Sequence, residues 1–143
     1  GEQEMQIREL VKKCNLDERV HLPGFIDYKS MVDWYALSTA FIHPALVEQW
    51  GLVVNEACAA GLPVLCSKAV GACYELVVDS QNGYKFDPES VSSMSSAMVR
   101  LHHVNNDKRV QMGKVSQDLV AGFHPDRFGE GMLKAIKACT ITQ

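Results

Sequence analysis

No stretch of the sequence approaches the roughly 18 consecutive apolar residues that a membrane-crossing helix needs. The first ten residues, Gly1 to Leu10, are polar and lack the charged segment followed by an apolar stretch that marks a secretory leader. Lys and Arg form no runs and the net charge is only -3, so the chain carries no electrostatic footprint for nucleic acid. The five cysteines, Cys14, Cys58, Cys66, Cys73 and Cys139, are an odd set at irregular spacing with no C-x-x-C. That excludes the patterns of a disulfide framework and of a zinc site, and leaves reduced thiols as the reading. Repeats, low-complexity tracts and linkers are also lacking. The expectation is a soluble, cytoplasmic protein with no nucleic-acid partner and no metal.

What is present fits one ordinary domain: 143 residues, 47% hydrophobic and 22% charged. The opening Gly1-Glu2-Gln3-Glu4-Met5 runs straight into a helical pattern, as in a piece of a longer protein. Met5, Ile7, Leu10, Val11 and Cys14 lie near helical spacing, and Asn15 to Asp17 supplies a stop. Val20 to Leu22, closed by Pro23-Gly24, reads as a short strand. Met31 to Leu37 is helical again, and Ala40 to His43 is a second strand ending at Pro44. A polar loop follows, then a helix from about Leu52 to Ala60, a stop at Gly61 and a strand at Pro63 to Cys66. Asn82-Gly83 marks a turn before a strand at Tyr84 to Phe86, which Asp87-Pro88 ends. Helices over Val91 to Val104, Asp107 to Val120 and Pro125 to Ala138 complete the chain, Pro125 standing where a first helical turn tolerates it. This alternation predicts an α/β fold with a parallel sheet of about four strands and flanking helices. So thin a sheet suggests leading β-α units outside this sequence.

The chemistry concentrates between His43 and Val64. The segment joins the C-terminal end of a strand to the next helix, which is where open α/β sheets bind ligands. Gly51 allows close approach of backbone to a ligand, and the N–H groups of Gly51, Leu52 and Val53 are the orphan donors of a helix start. Together they predict an anion site suited to a diphosphate. Glu56, one turn into the helix, can accept two hydroxyl hydrogen bonds side by side from a vicinal diol such as a ribose. Glu48, ahead of the helix, can do the same for sugar hydroxyls. Two glutamates at E-x7-E spacing are common by chance and most often solvated, so the weight rests on the whole segment.

Pro44-Ala45, Glu48, Gly51-Leu52, Glu56-Ala57 and Ala60-Gly61-Leu62-Pro63-Val64 together resemble the signature of the retaining GT-B glycosyltransferases of family 4, also called group 1. Arg19 to Phe25 resembles that family's strand ending in Gly, Val70-Gly71-Ala72-Cys73-Tyr74-Glu75 its Gly-Gly-x-x-Glu segment, and Asn82-Gly83 its turn. Nearly the whole chain is covered, and the match is to the C-terminal half of the family only.

The resemblance implies a Rossmann-like donor-binding domain with a nucleoside-diphosphate sugar as substrate and no cofactor. In it Glu48 grips the sugar at the reacting centre and Glu56 the ribose. Trp50, Gly51, Leu52 and Val53 surround the donor, and Gly24, Phe25 and Met31 inherit a base-site role. The acceptor, a glycan, lipid or small molecule as in polysaccharide biosynthesis, belongs to an N-terminal partner domain, which alone would provide any peripheral membrane association. The family's Arg and Lys that neutralise the diphosphate lie upstream of residue 1, so this piece by itself is expected not to catalyse. Trp50 stands where Phe is usual, Gln49 where a small residue or Pro is usual, and Ala72 in place of a second Gly. These departures leave the donor sugar open.

Other conspicuous residues fit ordinary structural roles: a half-buried His43, solvated His102, His103 and His124, core Cys58 and Cys66, and Trp34 and Tyr35 on a buried helix face. The competing functions are a GT-B-fold epimerase or phosphorylase and a non-catalytic nucleotide-binding module. Glu48, Gly51 and Glu56 together speak against the last.

Overall fold

A computed structural model of the chain describes residues 2–140. The fold divides into two compact units, one ending at Met31 and the other beginning at Val32.

The first unit is built on α1, Glu4–Lys13. Glu4 in its first turn and Lys12 and Lys13 in its last complement the helix dipole, and Arg8 pairs with Glu4 at 2.7 Å across one turn. Asn15 closes the helix in the left-handed region at φ 54°. The strand expected at Val20 to Leu22 is absent, which corrects the sequence reading. An apolar burst becomes a strand only where its amides and carbonyls find a ladder. Here the amides of Arg19 and Val20 both donate to the Leu16 carbonyl, Leu22 accepts from Arg8, and Pro23 has no N–H. Gly24 takes φ 78°, and Phe25 is 97% exposed. Asp27 then accepts the amides of Lys29 and Ser30 at 3.1 Å and the Ser30 hydroxyl at 2.7 Å. Those bonds, led by the Ser30 hydroxyl, hold its carboxyl below the usual range. Asp27 thereby starts α2, Tyr28–Leu37, where Met31 sits half-buried with its amide on the Asp27 carbonyl.

The second unit contains the sheet. Its strands are β1 Phe41–His43, β2 Val64–Ser67 and β3 Gly83–Phe86, all parallel in the order β1-β2-β3. Between and after them run α3 Leu52–Ala59, α4 Gly71–Leu76, α5 Val91–His102, α6 Asn106–Val120 and α7 Pro125–Thr140. The predicted α/β class with a parallel sheet is what is found, with three strands among the described residues rather than about four. The loss is the Val20 to Leu22 segment. Every residue of β2 is buried, as expected of a central parallel strand covered on both faces. Leu65, Tyr84 and Phe86 pack with Ala97 and Leu101 of α5 and Met112 of α6 into one core cluster. Helix α4 was not read from the sequence, because six residues are too short for a period to show.

Of the two aromatic residues assigned to the buried face of α2, Tyr35 is 9% exposed but Trp34 is 47% exposed, a second correction. The two point about 100° apart round the helix, and Tyr35 is the one that α2 turns inward. Cys58 and Cys66 are buried as expected, with Cys73, while Cys14 and Cys139 are exposed. Burial pushes the Cys58 thiol up to about 11, and Cys66 is raised by its hydrogen bond with Cys73 and by burial. The resemblance also implies a last helix that packs away from this sheet and leaves some of Phe128, Met132, Leu133 and Ile136 exposed; on α7, Met132, Leu133 and Ile136 are exposed. The side chain of Phe128, named with them, lies outside the described residues.

Asn82 does more than make the turn that the sequence suggested. Fully buried, it accepts the Val78 amide at 2.7 Å and donates to the Leu76 carbonyl at 2.8 Å and to Ser116 Oγ at 3.2 Å. Ser116 in turn donates to the Leu62 carbonyl at 2.8 Å, so one amide ties the end of α4 to α6 and the start of β2. Asn82→Ala leaves three buried polar groups short of a partner and is expected to cost about 2–4 kcal/mol of stability. Urea unfolding of both proteins measures it, and a loss under about 0.5 kcal/mol would show the network to be dispensable.

Candidate functional site

The loop after β1 is fastened by backbone. Glu48 forms a one-residue parallel bridge with Val70: its amide donates to the Ala69 carbonyl, and its carbonyl accepts the Gly71 amide, each at 3.2 Å. The Ala72 amide donates to the Trp50 carbonyl at 2.9 Å. Residues 48–50 are therefore held against the turn leading into α4. Gly71 is required by this crossing, because a Cβ on it would overlap the Gln49 carbonyl oxygen. Ala72, in place of a second glycine, is fully buried in the core.

Gly51 lies under the crossing and begins α3 at φ 90°, a conformation that side chains rarely adopt. A Cβ there would meet Val70 Cγ1 at 3.0 Å, Glu48 Cγ at 3.3 Å and His43 Nε2 at 3.5 Å. Its carbonyl accepts the Val54 amide at 2.9 Å. The amides of Gly51, Leu52 and Val53 have no protein acceptor among the described residues. They are the three donors expected of a helix start, on an eight-residue helix whose dipole favours an anion at this end. Leu52 turns its side chain outward, and Val53 is half-buried.

The two glutamates flank these amides. Glu48 is half-buried, and its carboxylate takes no hydrogen bond among the described residues. Glu56 stands four residues beyond Leu52, a rise of about 6 Å along α3. It is half-buried too, and its Oε2 accepts the Tyr35 hydroxyl at 3.0 Å. That contact escaped the sequence reading, since no spacing rule links positions 35 and 56.

Trp50, expected in the donor site, has its side chain engaged: Nε1 donates to Asn55 Oδ1 at 2.9 Å and the indole lies 5.5 Å from the Phe123 ring. Those contacts anchor the loop from its outer side. His43 is half-buried, as expected, and its ring stacks on Phe41 at 6.2 Å. Its Nε2 is buried beneath Gly51 with no partner among the described residues. Gly24, Phe25 and Met31, expected at the base, belong to the first unit and are described with it.

A cleft of about 320 Å³ lies elsewhere and contains neither glutamate. It is lined mainly by apolar groups of β1, Leu65 and α5, with His102 and Arg109 at its edge. Among the described residues no group of three His, Cys, Asp or Glu is placed to hold a metal ion, and no helix is long and apolar enough to cross a membrane.

The second unit is thus a parallel α/β fold in which a glycine starts a helix between two glutamates. The chain belongs to the glycosyl transferases group 1, whose family model matches residues 1–118. It is 32% identical to sucrose-phosphate synthase 4 of Arabidopsis thaliana over 68% of its own length and 10% of that protein. A sucrose-phosphate synthase structure from Thermosynechococcus elongatus superposes with a TM-score of 0.80 at 26% identity, covering all of this chain and 36% of that one. A protein from Anabaena, solved in complex with UDP-glucose, shares the fold with a TM-score of 0.75 at 24% identity, over 96% of this chain and 38% of that one. The chain therefore spans only a minor part of each of these relatives, and its fold is that of GT-B glycosyltransferases.

Proposed function

We propose that the chain is the donor-binding half of a retaining glycosyltransferase that moves a sugar from a nucleoside diphosphate to an acceptor. The observation that carries this reading is the start of α3, where the unpartnered amides of Gly51, Leu52 and Val53 stand between Glu48 and Glu56.

A diphosphate on those amides gains charge-assisted hydrogen bonds and the helix dipole. Both interactions strengthen as the C1–O bond breaks and negative charge gathers on the leaving diphosphate, so they favour the transition state over the bound donor. Glu56, about one helical turn on, is at the distance of a ribose diol. Glu48, on the other side of the amides, takes sugar hydroxyls and fixes C1 for attack from the face the diphosphate leaves. The chain supplies no protein nucleophile in this reading. The acceptor, and the cations that complete charge neutralisation, come from the remainder of a longer protein. Gly24, Phe25 and Met31 are assigned to the base. The protein would act in the cytoplasm with a nucleotide-sugar and without a metal.

Retention is the testable part of the chemistry. The full-length protein, supplied with α-linked UDP-glucose, ADP-glucose or GDP-glucose and an acceptor panel, is expected to yield an α-linked product. Proton NMR of the anomeric signal reads the outcome directly. A β-linked product would overturn retention.

A further inference from the structure

We propose that Tyr35 is a positioning residue for Glu56, holding its carboxylate in the one orientation that can receive a ribose diol. This rests on the reading of Glu56 as the ribose ligand. A half-exposed glutamate turns about three side-chain torsions, and a ligand that needs both oxygens must stop that motion on binding. The Tyr35 hydroxyl does so beforehand, donating to Glu56 Oε2 at 3.0 Å.

Tyr35 is itself fixed. It is the one buried residue of α2, 9% exposed, and its ring meets the Phe41 ring edge-on at 5.9 Å and 61°. Phe41 is anchored in β1, paired with Val64, and its ring also stacks with His43. The hydroxyl therefore approaches Glu56 from a rigid base made of helix and sheet.

An ionised carboxylate offers about four lone-pair sites, so one bond from Tyr35 leaves Oε1 whole and Oε2 with a second site. Two neighbouring hydroxyls need one site on each oxygen. Tyr35 thus orients without competing, and what it adds is discrimination between a ribose and a sugar lacking the diol.

The test uses the full-length protein and whichever of UDP, ADP and GDP the wild type binds most tightly, alongside its 2′,3′-dideoxy form and inorganic pyrophosphate. Titration calorimetry gives each Kd for wild type, Tyr35→Phe, Glu56→Ala and the double variant. Tyr35→Phe keeps the ring against Phe41 and removes only the hydroxyl. It is expected to cut the ribose-over-dideoxyribose preference roughly three- to tenfold while leaving pyrophosphate within about twofold. In the Glu56→Ala background the same change is expected to do nothing further.

Separate results sink separate ideas. A ribose preference that survives Glu56→Ala removes the ribose assignment itself. A preference that vanishes with Glu56→Ala but is intact in Tyr35→Phe removes the positioning role alone. Equal weakening of all three ligands by Tyr35→Phe, persisting in the double variant, would mean that the hydroxyl supports only the fold.

Discussion

Glu56→Ala is expected to weaken a nucleoside diphosphate and the complete nucleotide-sugar alike, by roughly ten- to more than a hundredfold, while Glu48→Ala weakens only the complete donor. The range follows from losing hydrogen bonds to a charged group, worth about 1.5–3 kcal/mol. The asymmetry follows from where the two carboxylates stand. Glu56 lies along α3 from the three amides that would hold the diphosphate, and in the proposed reading its partner is the ribose that every donor of this kind carries. Glu48 lies before them, in the loop bridged to Val70, and in the same reading its partner is the sugar. Because Glu48 takes no side-chain bond among the described residues, removing it should leave the fold nearly unchanged. A loss of donor affinity in that variant would then report binding rather than misfolding.

Gly71→Ala should have the largest effect on the fold of any single methyl addition near the site. The added Cβ would overlap the Gln49 carbonyl oxygen, lie 3.0 Å from the Gln49 carbonyl carbon and press on Trp50 Cα at 3.3 Å. All of these are backbone atoms, which cannot swing aside as a side-chain end can. The loop and the start of α4 must separate, which strains or breaks the bonds at Glu48 and Ala72. Overpacking of this kind costs about 1–3 kcal/mol and each lost backbone bond about 0.5–1.5, so a destabilisation of about 3 kcal/mol or more is expected. Activity should fall with it, because the same bonds place Glu48. Gly131→Ala is the matched control: its Cβ meets nothing within 4 Å, and in a helix interior alanine should be neutral or stabilise by up to about 1 kcal/mol. Urea midpoints for the two variants separate the cases, and similar midpoints would mean that the loop crossing is not rigid.

Where the chain order of elements was legible, the signal was local. Gly61 stops α3 and β3 begins at the Asn82-Gly83 turn, just where the punctuation falls in the sequence. The parallel sheet followed from strand and helix alternating, a pattern whose right-handed crossovers leave few topologies. Val20 to Leu22 misled because an apolar burst records only that a segment could pair, and its leading amide, that of Val20, is spent in the turn at Leu16. Trp34 misled because helical spacing alone does not show which of two adjacent aromatic residues turns inward. Within the site, the Gly51 helix start and both glutamates sit in one continuous motif and could be read from it. The Tyr35 contact, the Val70 bridge and the Asn82 network could not, since each joins residues that only the tertiary fold brings together.

The most direct test of the central claim is titration calorimetry on the full-length protein, wild type, Glu48→Ala and Glu56→Ala, each with the nucleoside diphosphate and the complete sugar donor. Loss of both ligands in Glu56→Ala, with loss of only the complete donor in Glu48→Ala, is the expected result. Equal losses of both ligands in both variants, or no loss in either, would contradict the division of labour around Gly51.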